Sequence, residues 1–303
     1  MAPLRHLRIF LESGLRASAA AGGHNFIGKV VSVMAANGFT TEFCLDDDAT
    51  LRRAEAEGGY TLTHMRPPVG LNGLVFRRVY HYPFWAIERS EQRWNWHVAG
   101  SVFDPDQIDF DQATSFARFW RKKLFNSAQP STRGQGFLYI PLQGRLTQHR
   151  SFQTCAPVQM IRAVLEADPR PVIATLHPRE SYGPQDHAAL AALAARFPRL
   201  TVTTGGMDHY LPGCDAVITQ NSSVAFNGFL LHKPAILFAD IDFHHIALRA
   251  DADPVAALAE LPRHRPCYDR YLFWFWQVMS INAGRPEVEA RIATTLRRCG
   301  WPL

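Results

Sequence analysis

A chain of 303 residues is long enough for two domains of ordinary size, each with its own buried core. Hydrophobic residues make up 47% of the chain and charged residues 19%, a composition that is typical of packed globular proteins and excludes extensive disorder. The 32 lysines and arginines exceed the 27 aspartates and glutamates by only 5, so the charge does not indicate a nucleic-acid-binding protein.

The first part of the chain has the order of a parallel α/β unit. The apolar run LRIFLESG predicts a strand, a glycine-containing loop follows, and FIGKVVSVMAANG has the apolar spacing and terminal glycine of a helix. FTTEFCLDD predicts a second strand, DDATLRRAEAEGG a helix and YTLTHM a third strand. Residues 73–110 are rich in aromatic side chains and give no clear pattern, and residues 111–126 predict a helix.

The segment NSAQPSTRGQG at 126–136 has the composition of a linker, and strands and helices alternate clearly after it. Predicted strands are FLYIPLQ, PVIATLHP, LTVTTG, CDAVITQ and KPAILFA, and predicted helices lie in PVQMIRAVLEAD, HAALAALAARF and SSVAFNGFLLH. This alternation predicts a doubly wound parallel sheet.

We therefore predict an α/β protein with three segments. Residues 1–130 form an N-terminal Rossmann-like domain, and residues 131–265 form a C-terminal Rossmann-like domain. Residues 266–303 include DRYLFWFWQVMSINAG and a final helix, PEVEARIATTLRRC. We expect these helices to return and brace the N-terminal domain.

Polar residues that directly follow the predicted strands are candidates for a binding site, because ligands of an open parallel sheet bind beyond the carboxyl ends of its strands. In the second half these residues are Gln143 after FLYIPL, His177 after PVIATL, Gly205-Gly206 after LTVTT, and the segment 219–223 after DAVI. We expect them to share one rim of the sheet.

His177 is followed by Pro178, which restricts the conformation of the histidine and holds its imidazole at the strand tip. A held imidazole can donate a hydrogen bond to a phosphate, although an ordinary surface histidine is the alternative. Glu180, in the same turn, could accept from a ribose or sugar hydroxyl, or could be a carboxylate favoured at a helix start.

The segment TQNSSVAF places hydroxyl groups and unpaired backbone N–H groups at a helix N-terminus, a combination suited to phosphate. Ser222 and Ser223 are the best candidate anion ligands, and Thr219 and Asn221 are polar neighbours. Ordinary N-capping by Asn221 or Ser222 explains one of these residues but not the whole cluster.

Two residues of the first half are candidates for acid/base chemistry. His24 follows AAGG, which lacks the spacing of a phosphate-binding loop, and lies between a predicted strand and helix. That position suits a general base or an acceptor-binding residue, and a structural polar residue equally well. Glu88, within YHYPFWAIERSEQRW, is the second candidate. Adjacent histidines in FHH at 243–245 would point in opposite directions on an extended chain, so we predict no metal site.

The cysteine content indicates a reducing, cytoplasmic compartment. The five cysteines are odd in number, widely spaced and without a CxxC pair, which indicates neither a disulfide framework nor a zinc site. The N-terminus lacks the long apolar region of a signal peptide, and no run reaches the roughly 18 apolar residues of a spanning helix. The stretch RFWRKK at 118–123 could rest on an acidic membrane surface or form a solvated helix face.

With these residues assembled, the chain resembles the capsule polysaccharide glycosyltransferases of GT-B architecture that use CMP-activated Kdo, and more distantly the bacterial GT-B sialyltransferases. Both groups carry an HP motif and a serine-rich motif that hold the CMP phosphate, and the matching residues are His177-Pro178 and Ser222-Ser223. YIPLQ, which ends at Gln143, is similar to the strand that opens the donor domain of the capsule enzymes. The resemblance covers roughly residues 137–250 and is poor over the first 130.

The resemblance implies a GT-B fold with two Rossmann-like domains, parallel sheets and an inter-domain cleft. It implies a glycosyltransferase that needs neither metal nor cofactor and takes a nucleotide-activated sugar, in particular a CMP-sugar such as CMP-Kdo. The implied acceptor is a surface polysaccharide or glycolipid, so peripheral contact with the inner membrane is a further expectation, and no nucleic acid is expected.

One departure from this family concerns an acidic residue expected a few positions after the PLQ-type segment and implicated in catalysis. This chain reads GRLTQHRSF there, with no Asp or Glu from Gly144 to Phe152, so that residue cannot be carried over. Either another residue, such as His24 or Glu88, takes its role, or the mechanism or the activity itself differs.

Two alternative functions stay open. One is a GT-B enzyme of nucleotide-diphosphate sugars, a transferase or a 2-epimerase, whose comparable helix commonly carries a glutamate for the ribose. SSVAFNGFLLHKP has no carboxylate, which favours CMP over UDP donors. The other is a non-catalytic glycan- or nucleotide-binding module, which the missing acidic residue permits.

Overall fold

The computed structural model describes residues 5–127, 129–131, 134–250 and 253–303. The strands are β1 (His6–Leu11), β2 (Thr40–Leu45), β3 (Tyr60–His64), β4 (Asn72–Arg78), β5 (Phe84–Glu88), β6 (Leu138–Pro141), β7 (Val172–Leu176), β8 (Leu200–Thr204), β9 (Ala216–Thr219), β10 (Ala235–Leu237), β11 (Leu248–Arg249) and β12 (Ile281–Asn282). The α-helices are α1 (Ser13–Ala20), α2 (Asn25–Ala36), α3 (Asp48–Glu57), α4 (Phe110–Phe125), α5 (Pro157–Ala167), α6 (Pro184–Arg196), α7 (Met207–Gly213), α8 (Ser223–Leu230), α9 (Pro254–Glu260), α10 (Tyr268–Phe273) and α11 (Val288–Arg298). Short 3₁₀ turns span Arg93–Asn95, Pro105–Gln107 and His244–Ile246, and a π-helical segment spans Trp274–Met279.

The chain forms two compact units. The first comprises Met1–Gly100 and Phe275–Leu303, and the second comprises Ser101–Trp274. The boundary expected at residue 130 from the linker-like composition falls inside the second unit, because α4 packs against α8 and α10 there. Residues 128, 132 and 133 of the predicted linker lie outside the described residues.

The first unit contains a six-stranded sheet in the order β12-β5-β4-β3-β1-β2. The pairs β1–β2, β1–β3 and β3–β4 are parallel, as the strand–helix–strand pattern predicts. The pairs β4–β5 and β5–β12 are antiparallel, so the prediction of purely parallel sheets is wrong for this unit. The connection from β4 to β5 is too short for a crossover helix, and the two strands form a hairpin instead.

The aromatic region that gave no clear sequence pattern supplies the strands of this hairpin. Trp85 of β5 stacks on Phe26 of α2, with 4.7 Å between ring centroids and 3° between planes. Its neighbour Phe84 stacks on Trp276 at 4.8 Å. Both faces of β5 are therefore buried, and no alternation of apolar and polar residues is left for sequence analysis to detect.

The C-terminal helix α11 completes the core of the first unit. It packs on α2, and its residues Ile292 and Leu296 are fully buried. Trp301 follows the helix and contacts the ring of Tyr60 on β3, with 5.2 Å between centroids.

The second unit contains a six-stranded sheet in the order β11-β10-β9-β6-β7-β8, and every pair in it is parallel. Renumbered within the unit, this is the 3-2-1-4-5-6 order of Rossmann sheets. The doubly wound prediction is confirmed here. The direction of winding reverses between the adjacent strands β6 and β9, which makes the carboxyl ends of these two strands the place where a ligand is expected.

All five cysteines have free thiols, and burial raises the pKa of Cys44 to about 11 and of Cys214 to about 12. These two thiols are therefore poor nucleophiles at neutral pH. In the described part of the chain, no helix combines the length and apolarity needed to cross a membrane.

A buried charge network ties α4, α8 and α10 together in the second unit. The Arg121 side chain of α4 is only 3% exposed. Its Nε donates to the Leu230 carbonyl oxygen (2.5 Å), and its guanidinium donates to Asp269 Oδ1 (2.5 Å), which also pairs with His232 Nε2 (2.7 Å). Burial favours the neutral acid, but the hydrogen bonds and charges of His232 and Arg121 outweigh it and lower the pKa of Asp269.

We predict that Asp269→Ala lowers the free energy of unfolding by about 3–5 kcal/mol, because it leaves the Arg121 charge buried without its carboxylate. The pKa of Asp269 is lowered in the folded state, so its contribution is complete above about pH 4 and is lost as the pH falls through the folded pKa. Denaturant titrations from pH 7 to pH 3 measure both effects.

Asp106→Ala is the matched control, because this carboxylate is 91% exposed and pairs with Arg270 at 3.5 Å in the same unit. We expect little change for this variant. An equal loss of stability in the two variants would contradict a special role for the buried network.

Candidate functional site

Two polar loops meet where β6 and β9 end. Gln143 follows β6, and Thr219 is the last residue of β9. The Thr219 hydroxyl donates to the Pro141 carbonyl oxygen (3.4 Å) and accepts from the Ser222 main-chain N–H (3.3 Å). Gln143 and Thr219 line one small cavity. The structure thus brings these two predicted residues together, and Thr219 fixes the turn that leads into α8.

The N-terminus of α8 lies beside this cavity, and its polar residues have different roles. Ser222 is buried and caps the helix, since its Oγ accepts from the Val224 N–H (3.3 Å). Ser223 is exposed and Asn221 is half-buried. N-capping therefore explains Ser222. The N–H groups of Ser222, Val224 and Ala225 already have acceptors, which leaves Ser223 and Asn221 as the groups suited to an anion.

His177 is exposed directly after β7, and its neighbours hold it in one orientation. Its Nδ1 accepts from the Arg179 main-chain N–H (3.2 Å), so in the neutral ring Nε2 carries the hydrogen. The His177 main-chain N–H donates to the Tyr182 hydroxyl (2.8 Å), which in turn donates to the Leu142 carbonyl oxygen (3.4 Å). This arrangement leaves the Nε2–H group as a donor and ties the loop after β7 to the loop after β6.

Glu180 supplies a carboxylate to a loop that has none of its own. A Cβ atom placed on Gly144 would lie 2.8 Å from Glu180 Oε2, so the carboxylate lies against the start of the loop after β6. The Glu180 main-chain N–H donates to the His177 carbonyl oxygen (3.1 Å). The segment from Gly144 to Phe152 lacks acidic residues in sequence, but Glu180 brings one to it in space.

Arg150 is a site residue that the sequence analysis did not single out. It lines the same cavity as Gln143 and Thr219, and its buried Nε has no hydrogen-bond partner among the described residues. Its guanidinium lies over the Phe152 ring, 4.8 Å from the centroid. Burial and the nearby Arg145 lower the pKa of Arg150, and Glu180 opposes this shift. The family resemblance predicts an acidic residue in the loop after β6, but the loop carries Arg150 instead. This difference is the sequence signal that could have identified Arg150.

Two buried glutamines near Arg150 also have unsatisfied atoms. Gln220 lines the cavity and donates through Nε2 to the Cys155 carbonyl oxygen (3.0 Å), but its Oε1 has no partner in the described part of the chain. Gln153 accepts from the Arg150 main-chain N–H (2.9 Å), and its Nε2 is likewise without a described partner. Buried polar groups are normally paired, so a concentration of unpaired ones indicates a ligand site.

In the first unit, His24 is the N-cap of α2. Its Nδ1 accepts from the Ile27 main-chain N–H (3.2 Å), and its ring meets Trp85 edge-on at 5.4 Å. Burial lowers the pKa of His24, which favours the neutral ring. Because Nδ1 accepts a hydrogen bond, the neutral ring carries its hydrogen on Nε2. In this orientation the free nitrogen of the ring donates a hydrogen bond and cannot take up a proton. The side chain therefore suits binding of the sugar-accepting substrate better than general-base chemistry. His64, at the end of β3, is a nearby histidine that sequence analysis did not identify. Its pKa is lowered mainly by burial and further by the charge of His24.

Glu88 is the last residue of β5 but lies apart from the carboxyl ends of the parallel strands of the first sheet. Because β5 is antiparallel, Glu88 pairs with Val75 in the middle of β4 instead of lying at its end. One carboxylate oxygen accepts from the His97 main-chain N–H (3.2 Å), and the other lies 3.3 Å from an Arg298 nitrogen. Both oxygens are engaged in structural contacts.

The adjacent histidines 244 and 245 lie in a 3₁₀ turn and not on an extended chain. Their rings stack at 4.3 Å, so the argument that they point in opposite directions is wrong. His244 Nδ1 pairs with the Ile241 carbonyl oxygen, and His245 contacts the Tyr271 hydroxyl and the Ser101 carbonyl oxygen. The described residues contain no group of three or more His, Cys, Asp or Glu side chains that could hold a metal ion.

We predict that Arg150→Met leaves the free energy of unfolding unchanged within about 0.5 kcal/mol or raises it, because the guanidinium has no carboxylate partner to lose. Arg170→Met is the matched control, since Arg170 binds both Asp168 (2.6 Å) and Asp215 (3.1 Å). That change should cost about 1.5–3 kcal/mol. Denaturant unfolding of the two variants checks this, and an equal loss in both would mean that Arg150 stabilises the fold.

Comparison with known proteins bears on the fold. No protein-family model matches the chain, and no curated protein matches it by sequence. Among solved structures, Thermosulfurimonas dismutans KpsC, described as a β-Kdo 2,7-transferase, has a TM-score of 0.50 at 11% identity over 88% of this chain and 88% of that chain.

Two further solved structures have lower scores. The UDP-GlcNAc 2-epimerase of Neisseria meningitidis has a TM-score of 0.38 at 11% identity over 97% of this chain and 99% of that one. A glycosyltransferase of Rickettsia africae has 0.35 at 8% identity over 98% and 94%. The likeness to KpsC concerns the fold alone, and the chain has the GT-B fold of two Rossmann-like units that its sequence motifs predicted.

Proposed function

We propose that the chain is a glycosyltransferase that moves a sugar from a nucleotide-activated donor, specifically a CMP-sugar such as CMP-Kdo, to a surface polysaccharide or glycolipid. One observation supports this proposal: hydrogen-bond donors follow the three neighbouring strands β7, β6 and β9 at and beside the switch point of the second sheet. They are the Nε2–H of His177, the first turn of α8 at Ser223, and the half-buried guanidinium of Arg150, whose Nε is buried without a partner among the described residues.

These groups suit a phosphate that gains charge as the glycosidic bond breaks. In the transfer, an acceptor oxygen forms a bond to the anomeric carbon, the bond from that carbon to the phosphate oxygen breaks, and CMP leaves with the bonding electrons. Fixed donors aimed at the leaving phosphate stabilise this charge without reorganising. His177 and the helix N-terminus would bind the phosphate, Arg150 and Gln143 would bind groups of the donor on the β6 side, and Glu180 would accept from a donor hydroxyl.

The donor assignment follows from the residues of α8. This helix, SVAFNGFL, has no carboxylate to bind a ribose hydroxyl. Its short polar N-terminus suits one phosphate, which supports a CMP donor over a UDP donor. We also propose that transfer needs no metal ion, because the charge of Arg150, the helix N-terminus and the hydrogen bond from His177 Nε2–H would stabilise the leaving phosphate in place of a metal. Unchanged transfer in the presence of EDTA is the expected result.

Acceptor binding is assigned to the first unit. We propose that the Nε2–H group of His24 donates a hydrogen bond to the glycan or glycolipid that accepts the sugar, since Nδ1 already accepts from the main chain of α2. Glu88 stays a prediction for acid/base chemistry, and its two structural contacts make it the weaker of the two candidates.

Peripheral contact with an anionic membrane surface is a further part of this proposal. Phe110 and Phe119 of α4 are 62% and 59% exposed, and Lys123 lies over the Phe119 ring at 5.8 Å. Exposed aromatic rings next to lysines are suited to a lipid headgroup layer. The free thiols support a reducing, cytoplasmic location. Co-sedimentation with phosphatidylglycerol vesicles, absent in Phe119→Ser, is the direct measurement.

A non-catalytic binding module is the second candidate, because the loop after β6 contains cations and no carboxylate. A module would bind the donor without hydrolysing or transferring it. Product analysis with CMP-sugars therefore separates the two functions.

We predict that His177→Ala lowers the turnover number for sugar transfer by about 10²–10³, the effect of removing one preorganised donor. His187→Ala, which removes an exposed histidine of α6, should retain normal turnover. Steady-state kinetics with a CMP-sugar donor measures both. Normal turnover in His177→Ala would refute the assignment of the phosphate site.

A further inference from the structure

A second cavity opens at the opposite edge of the second sheet. Asp215 precedes β9 and Pro234 precedes β10, and both line it, so it lies at the amino ends of these strands, whereas the proposed donor site lies at the carboxyl end of β9. Its volume is about 380 Å³, within the range of roughly 300–1,000 Å³ that is typical of small-molecule sites.

The wall of this cavity carries an excess of positive charge. Arg170, Lys233 and Arg265 line it together with Asp215, and Asp168 beside the wall also binds Arg170 at 2.6 Å, which gives +3 − 2 = +1 with histidines neutral. Asp215 is already bound by Arg170 at 3.1 Å. Lys233 is only 2% exposed, and burial lowers the pKa of its ammonium group. The charge excess is therefore located in a partly desolvated wall, where it attracts anions strongly.

Arg265 is held in place by the main chain and not by a carboxylate. Its Nη1 donates to the carbonyl oxygens of His264 (2.8 Å) and Leu261 (3.5 Å). No ion pair of Arg265 is present among the described residues. A guanidinium fixed by carbonyl groups keeps further N–H donors for a ligand.

Tyr268 adds a buried donor without a partner. The residue lines the cavity and is 6% exposed, and its hydroxyl makes no hydrogen bond within the described part of the chain. Its ring stacks on His232 at 5.0 Å and 18°, which fixes its orientation. Burial raises the pKa of Tyr268 while the charge of Arg265 opposes the shift, so the phenol keeps its hydrogen and lies within electrostatic reach of the guanidinium.

We propose that this cavity binds a small organic anion, a phosphate ester or a carboxylate, through Arg265 and the Tyr268 hydroxyl. The two donors bind one oxyanion, and Pro262 and Pro266 of the wall contact the apolar part of the molecule. The site is separate from the donor site and does not depend on the function proposed for it.

The test is calorimetric titration of the full chain with inorganic phosphate and, separately, with acetate, at matched ionic strength in chloride. At least one anion should bind to the wild type. Its Kd should rise about tenfold in Arg265→Gln and severalfold in Tyr268→Phe. The probe that binds more tightly identifies the ligand as a phosphate ester or a carboxylate.

Two variants serve as controls. Arg263→Gln makes the same charge change at an exposed residue outside the cavity wall and should keep the wild-type Kd. Arg150→Met removes a cation of the proposed donor site, so binding that is lost in this variant and kept in Arg265→Gln is binding at the donor site. Tyr268→Phe removes only an unpartnered hydroxyl, so its melting temperature should not fall. The proposal is overturned if neither anion binds, if Tyr268→Phe binds as tightly as the wild type, or if Arg150→Met loses the binding instead.

Discussion

The reversal of strand order between β6 and β9 is the constraint on which the proposed donor site depends. Connections leave these neighbouring strands in opposite directions, so the gap between their carboxyl ends is not covered by a crossover. The loop after β6 borders this gap on one side, and the turn into α8 borders it on the other. Thr219 joins the two sides by bonding to Pro141 and to the main chain of Ser222. Polar groups that are far apart in sequence thereby surround one small volume.

The arginines of the second unit differ in whether a carboxylate binds them, and we use this difference to separate structural arginines from candidate ligand-binding ones. Arg121 and Arg170 are satisfied by carboxylates, and removing those partners is expected to cost stability. Arg150 and Arg265 have no carboxylate partner among the described residues, although each lines a cavity. The Nε of Arg150 is buried, and an unpaired cation in a partly desolvated place is costly unless an anion compensates it, whereas Arg265 is exposed. The two cavities lie at opposite ends of the strands of one sheet, so the two anions that we propose would bind independently of each other.

Much of the second unit could be predicted from the sequence, because its buried parallel strands form short apolar runs that end at polar residues. Gln143, His177 and Thr219 were predicted as site residues in this way, and the structure places each of them at or just after the end of a strand. The first unit was harder to predict, since Trp85 and Phe84 bury both faces of β5. This strand also runs antiparallel to β4, so Glu88 lies apart from the carboxyl ends of the parallel strands. Arg150 could not be found by pattern, because its importance lies in the missing partner of one nitrogen. The roles of Ser222 and His24 depend on which atoms the helix ends already occupy, and only the structure shows that.

Calorimetric titration with CMP, with UDP and GDP as controls and without added metal, tests the central claim most directly. We expect saturable binding that is selective for CMP and is weakened in Ser223→Ala, whose exposed hydroxyl can be removed without disturbing the helix cap formed by Ser222. Binding of UDP in preference to CMP would contradict the proposed donor. The absence of binding for all three nucleotides would contradict the assignment of this strand edge as a nucleotide site.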